Sequence, residues 1–475
     1  MGSWTAWALL LVYGATFFFL SPSSSEESGF YEGRSRSGRP PGTALLFATV
    51  FVSWIFAKSV TNAANLAGTF GLPGGVAYGA WWISIPVAGV VIVALRRRFG
   101  ARSLPAWVRD RYGRAAAGAF LVAVLIRLYN EVWSNTAVVA GYFGSRGSKP
   151  FLIAAGAFTA LTLFYTLKGG LRSSIFTDAI QAGLFGSFVL LVILLAFPRT
   201  GAGFREVLTS GHWTLAGGVD LLLVGILQSF SYPFHDPVLT DRAFLSSDRA
   251  TLRAFAWAGG LGFVAIVLFS LVGIPAYVGR TPFHDDAPRA VATALGAGAL
   301  LMVNVVMLAS AGSTLDSTFS SIAKAVDRDA PEALRGRRLS GSLSGGRLAM
   351  VAIAVVGNLP LLFGARILQA TTVSGTMVIG LAPIFILGLV VRAPPLSFHL
   401  AFWSGVAVGV GQAAGLVPHA LWIGNGRYAD LLGANLWGLV LVTGLFLMPV
   451  LLRWDAAPAP SSPVRDRDSG QPPGS

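Results

Sequence analysis

Three polar side chains interrupt what should be an apolar run. Lys58, Asn62 and Asn65, with Thr61 beside Asn62, stand at i, i+3/i+4 and i+7 and so share one face of a helix. A second row, Arg127, Glu131 and Asn135 at i, i+4 and i+8, lies in another apolar segment. Each charge at mid-bilayer costs about 2.5–3.5 kcal/mol on insertion scales. Lys58, Arg127 and Glu131 unpaired would together cost on the order of 8–10 kcal/mol, against a whole folding stability of roughly 5–15 kcal/mol. They must be paired or hydrated. Two readings fit the spacing: an Arg127–Glu131 bridge that holds helices together, or a polar lining for a solute cavity. The trio sums to +1, and Asp236 is a candidate for the missing anion; if Asp236 points elsewhere, a carboxylate-bearing solute would complete the balance.

Asp236 follows another interrupted apolar segment. Pro233 and Pro237 break it, and Gln228, Ser231/Tyr232 and His235 share a face. Broken helices that carry polar stripes, in corresponding places of two halves of a chain, point to the binding site of a secondary transporter. A third polar face is made of hydroxyls. Ser310, Ser313/Thr314 and Ser317 recur at helical spacing, with Ala311 and Gly312 small enough to admit a neighbouring helix. Such a row serves helix packing, and equally it offers oxygen ligands to a hard cation. Asp178, with Thr177, can cap the helix after the Gly169-Gly170 turn. His235-Asp236 and His284-Asp285-Asp286 lack further ligands at metal-site spacing. No constellation for a membrane-embedded enzyme is present.

These residues are carried by a chain of 475 residues that is 54% hydrophobic and only 12% charged, with mean hydropathy +0.66. Soluble domains carry about a quarter charged residues, so the fold class is an all-α integral membrane protein embedded in a lipid bilayer. Thirteen apolar segments can be drawn, at 4–20, 44–67, 74–95, 115–143, 151–167, 178–198, 219–234, 254–277, 290–317, 347–363, 367–391, 397–418 and 436–452. The first lacks a basic n-region and a small-residue cleavage site, so it reads as an anchor rather than a signal peptide. Alternate loops hold 25 basic residues and the opposite loops eight, which places the N-terminus outside and the C-terminus in the cytoplasm. The net charge of +14 is therefore topological and calls for no nucleic acid. With no cysteine, disulfides and thiolate chemistry are excluded. The tail, 453–475, is rich in Pro, Ser, Asp and Arg and reads as disordered.

Four motifs in order carry a resemblance: GLPGGVAYG at 71–79, SLPAWVRDRYG at 103–113, GGLRSSIFTDAIQ at 169–181 and STLDS at 313–317. From about residue 30 to 451 the chain resembles the sodium/solute symporter family, whose members share the inverted-repeat fold of the amino-acid and sugar symporters. The resemblance implies a first helix and linker at 1–43, a 5+5 inverted-repeat core at 44–391, and two further helices at 392–452. It implies a sodium ion held by the carbonyls of Thr61 and Ala64, a carbonyl at Ser310, and the hydroxyls of Ser313 and Thr314. Asp178 matches an aspartate on the cytoplasmic ion exit path. The expected function is sodium-coupled symport of a small polar solute by alternating access, in the plasma membrane (the inner membrane of a bacterium), with no cofactor. Lys58, Asn62, Asn65, Glu131, Asn135, Gln228, Tyr232 and Asp236 would surround the solute. Lys58, Arg127 and Glu131 and the His235-Asp236-Pro237 sequence depart from the family's general pattern. They keep open a proton-coupled or uncoupled transporter in which Lys58 replaces the ion. A transporter-like sensor is the remaining alternative.

Overall fold

A computed structural model describes residues 3–201, 203–336, 342–363 and 374–452. Among these residues every regular element is helical. In chain order the main helices are α1 (Ser3–Leu20), α2 (Thr43–Ser53), α3 (Ala57–Phe70), α4 (Leu72–Phe99), α5 (Arg114–Gly141), α6 (Lys149–Gly169), α7 (Leu171–Leu191), α8 (Val219–Gln228), α9 (Asp248–Ser270), α10 (Ala297–Lys324), α11 (Ser344–Val356), α12 (Pro395–Ala413) and α13 (Ala429–Leu451). Among the described residues eight helices are long and apolar enough to cross a membrane, or nine when α2 and α3 are one bent span; α1 and α8 are shorter apolar helices. The segment expected at 367–391 lies partly outside the described residues; within its described part, Leu381–Ile386 forms a short α-helix. Arg366 and the tail from 453 also lie outside them.

The core is a bundle in which α2 packs on α7 and α9, while α10 packs on α5 and α7. Gly312 lets α1 into this bundle. A Cβ there would lie 1.8 Å from the Tyr13 hydroxyl, so only a glycine admits that contact. The loop helix Leu104–Tyr112 starts with Ser103, whose side chain accepts from the Ala106 amide at 3.3 Å, followed by proline in the first turn.

The break near Lys58 lies well before the glycines and proline of the 71–79 motif. α2 and α3 meet at a 58° bend over Trp54-Ile55-Phe56, ahead of Lys58 and without glycine or proline. The carbonyls freed by the break are taken up by hydroxyls of α10. Ser310 Oγ donates to the Ile55 carbonyl and Thr314 Oγ1 to that of Ser53 at 3.4 Å. An unpaired carbonyl buried in a bilayer is costly, and a partner outside the helix is what sustains a break in apolar sequence. Gly71 performs a different task, ending α3 with φ +72°. A Cβ there would meet the Ser210 backbone at 2.5 Å, so this turn requires glycine on both counts. The second break does lie where its prolines stand: α8 ends at Gln228, and one turn at Tyr232–His235 is followed by another at Pro237–Thr240.

Candidate functional site

Both breaks and α5 converge on one buried ion network. Lys58, at the start of α3, places Nζ 2.5 Å from Glu131 Oε1 on α5. Arg127, one turn earlier on α5, bridges Glu131 through Nη1 and reaches Asp236 Oδ2 at 2.8 Å through Nη2. Asp236 also accepts from Trp54 Nε1 at 2.9 Å and caps the Val238 amide at 3.0 Å. Asn135 donates to Glu131 Oε2 at 2.8 Å and accepts the Lys58 amide at 3.5 Å. All four charged groups are buried. The quartet sums to zero, so Asp236 supplies the anion that the Lys58–Arg127–Glu131 trio lacks. The two sequence readings merge here: the Arg127–Glu131 bridge exists, and it is part of a larger network that joins both breaks.

Beside the quartet lies a small cavity of about 10 Å³ whose walls are aromatic: Trp54, Phe56, Tyr78, Trp81, Trp82 and Tyr232, with Ser59. Ser59 and Tyr78 share a hydrogen bond of 3.1 Å, and Asn62 Nδ2 donates to the Tyr78 hydroxyl at 3.5 Å. Gln228 accepts from Trp81 Nε1 at 3.1 Å and donates to Asn435 at 3.1 Å and Thr376 at 3.3 Å. The structure thus gathers Lys58, Asn62, Glu131, Asn135, Gln228, Tyr232 and Asp236 in one region. Asn65 stands apart. Its Nδ2 donates to the Asp285 carbonyl at 2.6 Å and its Oδ1 accepts the Ala287 amide at 2.7 Å, so it pins the loop before the Ala287–Ala294 helix.

The hydroxyl face of α10 forms a second buried cluster. Ser313 Oγ donates to Asp178 Oδ1, and Thr49 Oγ1 donates to Asp178 Oδ2. Arg242 lies against the same groups: Nη2 is 3.0 Å from Asp178 Oδ2 and 2.6 Å from Ser317 Oγ, while Nε donates to Thr49 at 2.8 Å. Asp316, one turn on, accepts from Ser174, Thr177 and Tyr165 at 2.7, 2.8 and 2.9 Å. Asp178 is thus a hub of side-chain bonds. The expected carbonyl positions need correction in this conformation. Thr61 and Ala64 lie within the uninterrupted helix α3, where carbonyls are consumed by the i→i+4 ladder. The carbonyls that meet Ser310 and Thr314 are those of Ile55 and Ser53.

Spacing rules singled out Tyr232 but neither Arg242 nor the other five cavity rings. Arg242 was one of the loop charges used for topology, yet it is fully buried. The signal for the rings was present: Tyr78, Trp81 and Trp82 stand at i, i+3 and i+4, one face of a helix.

Residues 37–240 match the model of the sodium:solute symporter family. Among curated proteins, the chain is 24% identical over 303 residues to the urea active transporter of Saccharomyces cerevisiae, covering 55% of this chain and 39% of that one. It is 30% identical over 229 residues to sodium/glucose cotransporter 1 of Sus scrofa, covering 46% and 30%. Against sodium/glucose cotransporter 4 of Danio rerio the figures are 28% over 177 residues, with 36% and 26% covered. The chain therefore spans about a quarter to two-fifths of the length of these relatives. Among solved structures, a Na+-coupled sialic acid symporter in a substrate-bound outward-open state superposes with TM-score 0.70 at 15% identity, over 95% of this chain and 97% of that one. A nucleobase-cation-symport-1 family transporter in a closed conformation gives 0.55 at 14% identity, over 91% and 94%. These relatives are transporters, not enzymes, and the apolar helices make this a multi-pass membrane protein. Over residues 37–240 the chain is thus similar to the sodium:solute symporter family, and over most of its length it shares the fold of these solved transporters.

Proposed function

We propose that the chain is a secondary active transporter that couples the inward sodium gradient to uptake of a small polar solute by alternating access. The observation that carries this reading is the meeting of the broken α2–α3 segment with the hydroxyl face of α10. Ser53 and Ile55 carbonyls, the Ser310, Ser313 and Thr314 hydroxyls, and the Asp178 carboxylate next to them form a donor set made only of oxygen. Such a set suits a hard cation. The ion would replace the hydrogen bonds these groups now make to one another, and Asp178 would lie on its cytoplasmic way out. Asn62, Gln228, Tyr232 and the ion quartet would line the solute chamber, with Asn65 acting at its outer loop. We place thirteen helices around a 5+5 inverted-repeat core at 44–391, with the N-terminus outside, in the plasma membrane.

Binding of ²²Na⁺ to the purified protein tests the ion site without knowledge of the solute. The Ser313→Ala/Thr314→Ala double variant, folded by its melting temperature, is expected to lose at least about tenfold in sodium affinity, the scale of removing one or two charge-assisted ligands. Unchanged affinity would sink the assignment. One observation favours a second reading: Arg242 is a resident cation against Asp178 and Ser317. In the proton-coupled or uncoupled alternative it, rather than Lys58, stands in for the ion, because Lys58 points to Glu131. Absence of ²²Na⁺ binding in the wild type, with uptake driven by pH alone or by the solute gradient, would select that alternative.

A further inference from the structure

The aromatic cavity has a chemistry of its own. Its rings come from three elements: Trp54 and Phe56 from the first break, Tyr232 from the second, and Tyr78, Trp81 and Trp82 from α4. Two contacting pairs meet edge to face, at 75° for Trp54–Trp82 and 71° for Trp54–Tyr232, and three are tilted, at 57° for Trp54–Phe56, 52° for Tyr78–Trp82 and 44° for Tyr78–Trp81; none is parallel. A flat solute such as a sugar or a nucleobase is best served by a platform or by parallel plates. Rings set at such angles make the walls of a box, which fits a compact, roughly spherical group.

Charge narrows the choice further. Lys58 and Arg127 are each paired with carboxylates, and the quartet sums to zero, so no uncompensated positive charge is left to draw an anionic solute. Three polar edges around the box are committed, Trp54 Nε1 to Asp236, Trp81 Nε1 to Gln228, and Ser59 to Tyr78, while Trp82 Nε1 has no hydrogen-bond partner among the described residues. What the box offers a solute beyond that one indole donor is the electron-rich face of aromatic rings, which attracts cations. Its rings already do this within the protein. Lys58 Nζ and Arg127 Cζ each lie 5.1 Å from the Phe56 centroid, and Arg127 lies 5.0 Å from that of Tyr232.

We propose that this box receives a quaternary ammonium group, so that the solute is a small methylated ammonium compound. The proposal rests on the transporter reading and names the solute class of that same chamber. At about 10 Å³ the cavity holds little more than one water probe, and a trimethylammonium group needs several times the volume of a water. The box must therefore widen on binding. Its construction allows that, because three of its six rings sit on the two breaks and three on the continuous helix α4.

The test uses the full-length protein in detergent and in proteoliposomes, with choline, glycine betaine and 3,3-dimethyl-1-butanol, the uncharged isostere of choline. Tryptophan fluorescence reports binding, and radiolabelled choline and betaine report uptake under a sodium gradient. Choline or betaine is expected to bind and be taken up, with the neutral isostere at least tenfold weaker. Trp81→Leu should weaken binding at least tenfold and Tyr232→Phe little, both with melting temperatures near that of the wild type. Should Trp81→Leu fail to fold, the charge comparison in the wild-type protein still decides. Equal binding of the isostere overturns the proposal. Uptake of D-glucose or uracil under a sodium gradient, with no binding of either ammonium compound, overturns it while leaving symport intact. Loss of the symport reading would show differently, as absence of ²²Na⁺ binding.

Discussion

Glu131 holds two cations at once, Lys58 at 2.5 Å and Arg127 by the i,i+4 bridge. Neutralising it leaves two buried positive charges to share Asp236. Breaking a buried pair from one side typically costs about 3–5 kcal/mol, whereas removing both partners is often close to neutral. Glu131→Gln and Lys58→Met should each lower the melting temperature strongly, and the Lys58→Met/Glu131→Gln double variant should recover most of the loss. The double variant keeps the balanced Arg127–Asp236 pair at 2.8 Å. Thermal unfolding of the four proteins gives a coupling energy, expected at about 2 kcal/mol or more; additive losses would mean that the quartet is not one unit. The polar rows on the second and fourth apolar segments were legible as residues that must be compensated, because the insertion cost of a charge depends on residue type alone. Their partners were legible only in part. Asp236 could be named from charge balance, but Arg242 could not be told from its loop neighbours, because burial of a loop arginine depends on where α7 and α10 place Asp178 and Ser317.

At the scale of elements, the sequence marked the second break and misplaced the first. Pro233 and Pro237 interrupt a helix wherever they stand, since proline lacks the amide. The Trp54–Phe56 break leaves no local mark, because it is sustained by hydroxyls about 255 residues away on α10. Lys58, Glu131 and Asn135, whose positions follow from helical periodicity, meet in one network. Thr61 and Ala64 shifted because their assignment depended on where the helix opens. The outer loop offers a prediction of its own. Asp286 caps the Ala287–Ala294 helix, accepting from the Arg289 amide at 3.1 Å. Burial raises its pKa to about 6, with Asp285 adding to the rise and Arg289 and Arg146 opposing it. A carboxyl that holds its proton more tightly when folded makes stability fall as pH rises from about 4 to about 6. Asp286→Asn should flatten the melting-temperature profile over that window, by on the order of 1 kcal/mol after allowance for its partial exposure. An unchanged profile would remove Asp286 as the titrating group.

For the whole molecule, hydropathy and the distribution of arginine and lysine give an expected number and direction of crossings, of which the described residues hold eight, or nine with α2 and α3 as one span. The burial of Arg242 subtracts one charge from the arginine-rich alternate loops and leaves their excess large. The absence of cysteine makes the orientation simple to measure. Ser37→Cys, exposed in the linker between α1 and α2, should react with an impermeant maleimide only from the cytoplasmic side. Ser145→Cys, exposed between α5 and α6, should react only from outside. The reverse pattern would invert the topology.

The balanced quartet also has an electrical meaning. A single elementary charge carried across 100 mV exchanges about 2.3 kcal/mol with the membrane potential. Lys58, Arg127, Glu131 and Asp236 bind one another across both breaks and α5, and two positive and two negative charges displaced as a body do no net work against the field. In the proposed cycle the network would fasten the two breaks to α5 without making them a voltage sensor. Whatever voltage dependence the proposed cycle has would be left to the ion and to the Asp178–Arg242–Asp316 cluster.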